Sequence, residues 1–562
     1  MHFVQQLHKT TNNQVEEDAA IMSFMTQEKV VAFIKMRKKQ VLFWGILALA
    51  FLLRCLRFAA VPDGINQDEA MGAMDAWALS QYGTDRFGTF LPVHFAAWQT
   101  SQMSVLLSYC MIPLIKIFGF STVTVRLPML LISTGAVALV YLVGQKLFGE
   151  RIALVAMLLT AVNPWQFMQS RWSLDCNLFP HVFLLAFYLL LLGLEKRRYL
   201  YLAMPVFGLT FYCYGIAAYS VTAFLFVFFV WCLWKRQIRF REGVLCAVLF
   251  TIVALPEIIV LGINAIHFGQ TIETPLFTMP YFPYSVRSAD ILLLNFSFAQ
   301  LGRNAWALFS HVFLQLPDIF FNSIPAFGPL YHVSIPFVFA GIVIYTAKLF
   351  GEKDTAKQTK MLALWGFLIT GIWVGLITYE VNINRVNIIF YPLLLLCAYG
   401  IDLAIQKWRK LLPVIVVAYG ISSVLFFVTY FTSYAQESGK YYNRDFLNAI
   451  VEADNLEAYD SLYITGNLGW QFNQSATEIL TQYACRIDAL YYQGKSNFSN
   501  GRELPDYADR YHYIYPEKQG GELAGLVGDG LLVLHKDDLE YITFDYKEID
   551  TVGDYVLVTV QN

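Results

Sequence analysis

Apolar runs long enough to cross a bilayer recur between residues 41 and 431 of this chain, and short basic clusters interrupt them. About 20 apolar residues cross the hydrocarbon core, and there each backbone N–H and C=O must be satisfied within its own segment or a closed barrel. Runs of this length therefore read as helices. The basic clusters fall at 146–151, 196–198, 235–241, 348–360 and 407–410. Lys and Arg accumulate on the cytoplasmic side of membrane proteins. Each cluster is separated from the next by apolar sequence sufficient for two crossings. With every cluster on one side, spans fall near 41–60, 127–145, 152–169, 178–194, 199–214, 217–234, 243–262, 333–348, 361–379, 386–405 and 411–431. The expected fold is a polytopic α-helical membrane protein of about eleven helices.

Composition agrees. Charged residues make up 15% of the chain, against roughly 25% in a soluble domain. The net charge of −2 provides no field for nucleic acid. Cys55, Cys110, Cys213, Cys232, Cys246 and Cys397 lie in or beside apolar runs, and Cys176 and Cys485 have no local partner. This pattern predicts neither a disulfide framework nor a zinc site. No cleavable signal peptide is visible. Residues 1–40 are largely polar and end in Lys35-Met36-Arg37-Lys38-Lys39, which predicts a cytoplasmic N-terminal segment.

The apolar segment 103–119 does not fit the alternation, because a further crossing there would send the following clusters outside. We therefore expect a helix at 100–120 lying on or dipping into the outer surface. The outer face then collects loops at 61–126, 168–177, 263–332 and 380–385. Loops beyond about 15 residues are uncommon unless functional. After Phe431 the sequence becomes polar and rich in Asp, Tyr and Gly. Helices are predicted at 445–453 and 476–484, and strands at 461–465, 530–534 and 555–560. Residues 432–562 thus read as a small extracytoplasmic α/β domain, a structural or acceptor-docking cap attached to the transmembrane domain of residues 41–431.

Asp68 and Glu69 stand directly outside the first span. The following residues, 70–79, have an amphipathic pattern that suits a helix along the interface. A carboxylate at the start of a helix is kept ionised by the helix dipole and can accept a proton. Arg171 and Asp175 are four apart, so on one helix they would share a face. An arginine fork suits phosphate oxygens, and the acid suits a sugar hydroxyl or a metal. Arg54 and Arg57 lie in or near the end of the first span, where a cation snorkels, meets a lipid phosphate or pairs with Asp68 and Glu69. Arg126 and Arg385 are further outer arginines beside spans, and they invite a phosphate ligand. Tyr212, Tyr214 and Tyr219 surround Gly215 at an outer turn, where they suit an interfacial belt or the capping of a lipid head. His94, His181, His267 and His332 each stand alone in sequence. The aromatic stretch Met279-Pro280-Tyr281-Phe282-Pro283-Tyr284 suits a flap over a lipid tail or plain interfacial packing.

The order of several motifs resembles the GT-C integral-membrane glycosyltransferases, in the branch of the protein O-mannosyltransferases and the lipid A aminoarabinose transferases. The motifs are Asp68-Glu69 after the first span, Val125-Arg126-Leu127-Pro128 at the second, Lys146-Leu147-Phe148-Gly149-Glu150-Arg151, Ser170-Arg171 followed by Asp175, and Tyr391-Pro392 after Arg385. The resemblance covers residues 40–405. It implies a polyprenyl-phosphate-linked sugar as donor, Asp68 as catalytic base, and Arg171 and Asp175 as residues that hold acceptor or donor; the reading of the residues themselves adds Glu69 in support of Asp68, and Arg57, Arg126, Tyr214 and Arg385 as further substrate-binding candidates. It further implies a cell-envelope glycan, glycolipid or protein as acceptor, and a place in the bacterial plasma membrane. A divalent metal is left open. The His-Pro-Pro of the mannosyltransferases is missing, since the corresponding region reads Trp98-Gln99-Thr100-Ser101-Gln102, and the Trp-Trp-Asp motif of oligosaccharyltransferases is also missing.

Two other classes compete with this reading. A transporter or flippase should carry internal repeats and mid-membrane charges; this chain shows no clear repeat, and its charges cluster at one face. A lipid-linked glycan polymerase or ligase should carry paired arginines in its long loop, where this chain has the separated Arg287 and Arg303. The topology predicts that reporters at residue 240 and at the C-terminus label opposite faces, and finding both on one face would refute it.

Overall fold

The computed structural model describes residues 27–97, 101–283, 292 and 296–561. Residues 1–26, Trp98, Gln99, Thr100, Tyr284 and Arg287 lie outside the described residues, and so do the expectations that fall on them.

From its N-terminal end the described chain runs through α1 (Gln27–Cys55) and α2 (Gln67–Tyr82) into a hairpin of β1 (His94–Ala97) and β2 (Ser101–Ser104). Then come α3 (Leu106–Phe118), α4 (Thr122–Phe148), α5 (Glu150–Val162), α6 (Pro164–Gln169), α7 (Asp175–Glu195) and α8 (Arg197–Leu209). Every expected span coincides with a helix. Among the described residues, eight helices are long and apolar enough to cross a membrane. The other expected spans correspond to α1, the pair α5 and α6, and α8. The break between α5 and α6 has a local cause. Pro164 cannot donate to the preceding turn, and the Asn163 side chain caps the new helix by accepting from the Gln166 amide at 3.0 Å.

The basic clusters gather at one end of the bundle, linked by ion pairs. Glu195 accepts from Lys146 and Lys360, each at 2.8 Å. Arg151 meets Asp402 at 2.8 Å, Arg197 meets Glu242 at 3.2 Å, and Lys39 pairs with Glu150. Exposed pairs of this kind contribute little energy, but they show which helix ends lie together. The first long loop and the C-terminal sheet domain sit together at the other end.

Segment 100–120 contains part of the β-hairpin and a short helix. Strand β1 pairs antiparallel with β2, His94 opposite Ser104. Helix α3 has 13 residues with Pro113 inside, too short for an ordinary crossing. It packs on α2 and on the membrane helix α4.

Helix α2 corrects an expectation. Its sequence pattern suggests a helix lying along the lipid interface, yet it is buried on most sides. Met71, Met74 and Leu79 share a single apolar core with Phe95 and Met103 of the hairpin. Ile450, Leu462, Ile464, Leu480 and Leu531 of the C-terminal domain complete the same core. The domain shares its interior with the first loop.

The sheet of that domain is built from β3 (Leu462–Thr465), β4 (Tyr511–Ile514), β5 (Leu531–His535), β6 (Tyr546–Val552) and β7 (Tyr555–Val560). Its five strands lie in the order β6-β7-β5-β3-β4. Strand β3 is parallel to both of its neighbours, β4 and β5, whereas β7 runs antiparallel to β5 and to β6. A strand enclosed by parallel partners is buried, which fits the apolar residues of β3. The predicted helices appear as Arg444–Asn455 and Gln474–Ala484. The last membrane helix does not stop at Phe431, where composition changes, but runs from Leu411 to Tyr441.

Two membrane helices approach each other very closely. A Cβ on Gly341, in Ile335–Gly351, would overlap the Leu396 carbonyl oxygen, and one on Gly400, in Phe390–Lys407, would overlap that of Phe337. Small residues permit such backbone contact. Gly341→Ala should push the helices apart and cost about 1–3 kcal/mol, read as a lower thermal midpoint of the purified protein. An unchanged midpoint would refute the contact.

Candidate functional site

The loop from Val61 to Asn66 leads into the acid pair, and buried groups hold it from three directions. Arg126 gives Nε–H to Glu69 Oε1 and Nη2–H to Glu69 Oε2, both at 2.9 Å. Its other N–H groups reach the carbonyls of Ala59 (3.3 Å), Pro62 (2.8 Å) and Gly64 (2.7 Å). Arg171 donates to the carbonyls of Val61 (2.8 and 3.1 Å), Arg54 (2.6 Å) and Arg57 (2.9 Å). From the C-terminal side, the Tyr442 carbonyl accepts from the Ile65 amide at 2.7 Å, and Asn443 Nδ2 donates to the Ile65 carbonyl at 3.1 Å. Gly64 has φ +94°, and a Cβ there would overlap the Tyr442 carbonyl oxygen, so only glycine fits.

Glu69 and Arg126 are both fully buried. Glu69 Oε1 also accepts from the Ser173 amide at 2.9 Å, and Ser173 Oγ donates to the Val125 carbonyl at 2.8 Å. All five guanidinium donors of Arg126 are therefore engaged. The expectation that Arg126 holds a phosphate needs correction, because no N–H remains to do so. Arg171 is likewise buried, with its bonds directed at backbone carbonyls. Four hydrogen bonds to three carbonyls, together with its burial, give Arg171 a scaffold role in place of the expected phosphate grip.

Arg171 and Asp175 do not share a helical face. Helix α6 ends at Gln169, and Asp175 opens α7. Asp175 Oδ2 accepts from the Ser104 amide at 3.2 Å, which ties the hairpin to the start of α7. Arg54 does not snorkel, and among the described residues it meets no acid. It turns inward to the carbonyls of Ala50 (2.8 Å) and Ala161 (3.3 Å) and to the Gln166 side chain.

Asp68 has a different setting. Successive residues on a helix point about 100° apart, so burying Glu69 against Arg126 turns Asp68 to another side. Asp68 is partly exposed in the first turn of α2, and its amide is capped by Asn66 Oδ1 at 3.0 Å. Further along α2, Asp75 pairs with Arg86 at 2.8 Å; burial pushes its carboxyl up to about 7, against the opposing pull of the guanidinium. Two expected arginines also reach solvent. Arg57 is exposed just beyond α1 and donates to the Phe431 carbonyl at 3.0 Å. Arg385 is partly exposed and donates to the Glu380 carbonyl at 2.8 Å. Its loop is pinned to α6 by Gln169 Nε2 donating to Asn384 Oδ1 at 3.0 Å. Tyr214 is partly exposed, its ring 6.4 Å from that of Phe179.

Sequence reasoning misses the aromatic and amide residues that join these pieces. Trp172 packs on Phe321 and Tyr442, with ring centroids at 5.5 and 5.8 Å. Asp318 Oδ2 accepts from the Ile383 amide at 2.6 Å and from Asn322 at 2.7 Å, joining the second long loop to the Arg385 loop. Only the position of Trp172 between Arg171 and Asp175 hints at its role. Of the lone histidines, His94 lies 2.8 Å from Glu257 and His181 lies 2.6 Å from Tyr391. Among the described residues, no three His, Cys, Asp or Glu side chains are grouped to hold a metal ion.

The family model for dolichyl-phosphate-mannose-protein mannosyltransferase matches residues 104–260. That stretch includes Arg126, Arg171, Asp175 and Tyr214, and begins after Asp68 and Glu69. The structure of ArnT from Cupriavidus metallidurans bound to undecaprenyl phosphate aligns over 95% of this chain and 98% of that one, with TM-score 0.52 and 11% identity. The fold is that of the GT-C glycosyltransferases. The Archaeoglobus fulgidus oligosaccharyltransferase tethered to an acceptor peptide containing the NVT sequon shares this GT-C fold, with TM-score 0.50, 14% identity and 81% of this chain covered. This chain spans 64% of that enzyme's length. No curated protein sequence matches the chain.

Within this GT-C scaffold, Glu69 and Asp68 should separate cleanly on mutation. Glu69→Ala leaves Arg126 buried without its partner and should cost about 3–5 kcal/mol. Asp68→Asn, at a partly exposed position in the first turn, should cost clearly less, about 1 kcal/mol or below. Thermal unfolding in detergent measures both, and equal losses would contradict the division of roles.

Proposed function

We propose that this protein is a membrane glycosyltransferase that moves a sugar from a polyprenyl-phosphate-linked donor to an acceptor hydroxyl. The observation that carries the reading is the partly exposed Asp68 at a helix start whose preceding loop is held by buried hydrogen bonds, next to the fully buried Glu69. The family match and the GT-C fold support a lipid-phosphate donor. Asp68 takes the proton from the acceptor hydroxyl as its oxygen bonds to the anomeric carbon. The bond from that carbon to the carrier phosphate breaks, and the phosphate leaves with the electron pair. Attack from the side opposite the leaving group inverts the anomeric centre.

Negative charge grows on the departing phosphate, and a positioned cation lowers the barrier there. Arg57 and Arg385 are the expected arginines that reach solvent, so they take this role in place of Arg126 and Arg171. Asp175 and Tyr214 contribute to sugar binding. The acceptor is a cell-envelope glycan, a glycolipid or a protein, reached on the face of the bundle that carries the sheet domain. The basic helix ends face the cytoplasm in this reading, and the membrane is a bacterial plasma membrane.

Loss of a general base typically slows a reaction about 10²–10⁴-fold. Asp68→Asn should therefore abolish detectable transfer while the protein remains folded. Mass spectrometry of cell-envelope glycans from strains with equal protein levels provides the test. An unchanged glycan profile would remove Asp68 as the base.

A further inference from the structure

A cavity lies where the first loop meets the C-terminal domain. Its volume is about 260 Å³, close to the lower end of small-molecule pockets. The first loop contributes Met71, Arg86 and Phe87 to its walls, and the C-terminal domain contributes Glu478 and Tyr492. Neither wall uses a membrane-spanning helix. Met71 stands three residues after Asp68, and positions three apart on a helix are neighbours.

The polar groups of this cavity suit a neutral polyol. Arg86 is already paired with Asp75 at 2.8 Å and donates to the Ala96 carbonyl at 3.2 Å. Glu478 adds a carboxylate, so the cavity as a whole is not set for an anion. Glu478 Oε1 accepts from the Tyr492 hydroxyl at 3.1 Å. A guanidinium that donates and a carboxylate that accepts can together hold vicinal hydroxyls. The rings of Phe87 and Tyr492 are 5.9 Å apart and inclined at 60°, which offers apolar surface to the C–H face of a sugar. A cross-link fixes the two walls together: Gln493 Nε2 donates to the Arg86 carbonyl at 3.0 Å.

We propose that this cavity binds a neutral sugar ring of the acceptor, one helical turn from Asp68. The inference rests on the glycosyl-transfer reading and identifies its acceptor as a glycan. A lipid-linked donor must keep its phosphate at the membrane surface, whereas these walls belong to the loop and the sheet domain.

The test uses the full-length protein in detergent and saturation-transfer NMR with methyl α-mannopyranoside, methyl α-glucopyranoside and methyl β-galactopyranoside. At least one glycoside should give a signal. Glu478→Gln and Phe87→Ala should each weaken it about tenfold, as expected for loss of a charged hydrogen bond or of a stacking surface. Phe87 is exposed, so its substitution leaves the fold intact. Asp68→Asn should retain the signal even where transfer is lost, which separates failure of this inference from failure of the base assignment. No signal from any glycoside, a signal unchanged in both cavity variants, or its displacement by undecaprenyl phosphate would overturn the proposal.

Discussion

The buried ion pair between Glu69 and Arg126 organises the end of the bundle where the first loop meets the C-terminal domain. Taking two charges out of water is costly, and the cost is offset only when geometry and additional hydrogen bonds are good. Here the pair is bidentate, Ser173 supplies another donor to the carboxylate, and three backbone carbonyls complete the guanidinium. Residues far apart in sequence are thereby forced into one arrangement. The consequence for function is directional: with Glu69 fixed inward, the neighbouring Asp68 is presented on a different side of the same helix.

The C-terminal domain takes part in that arrangement. Tyr442 and Asn443 clamp the loop before Asp68, and the sheet shares its apolar core with α2 and the hairpin. Apolar burial gives the larger share of the adhesion, because exposed pairs such as Arg444 with Asp63, 3.4 Å apart, contribute little. The domain and the first loop therefore form one body at the end of the helix bundle. The cavity between them lies within reach of the acid pair because Asp68, Glu69 and Met71 all stand on the first turns of α2.

Much of the membrane fold was legible in the sequence. Length, apolarity and the spacing of basic clusters are local properties, and each expected span meets a helix. The acid pair is legible for a similar reason, since its place after the first span can be counted along the chain. The roles of the arginines are not. Position beside a span identifies a cation at a surface, but whether its donors meet phosphate or carbonyl oxygens depends on loops folded from elsewhere. Those loops turn Arg126 and Arg171 into scaffold cations where the pattern suggests phosphate ligands. A spacing of four likewise suggests a common helix for Arg171 and Asp175, and the chain leaves the helical path between them.

Hydropathy and charge act through near neighbours and the bilayer, so the linear chain suffices for the helical membrane class, the grouping of basic ends and the small α/β domain. Which acid is buried and which is presented, and the sharing of one core by the last domain and the first loop, emerge only once the chain is folded. Those outcomes depend on contacts such as that of Asn443 with Ile65, 378 positions apart, and no local pattern encodes them.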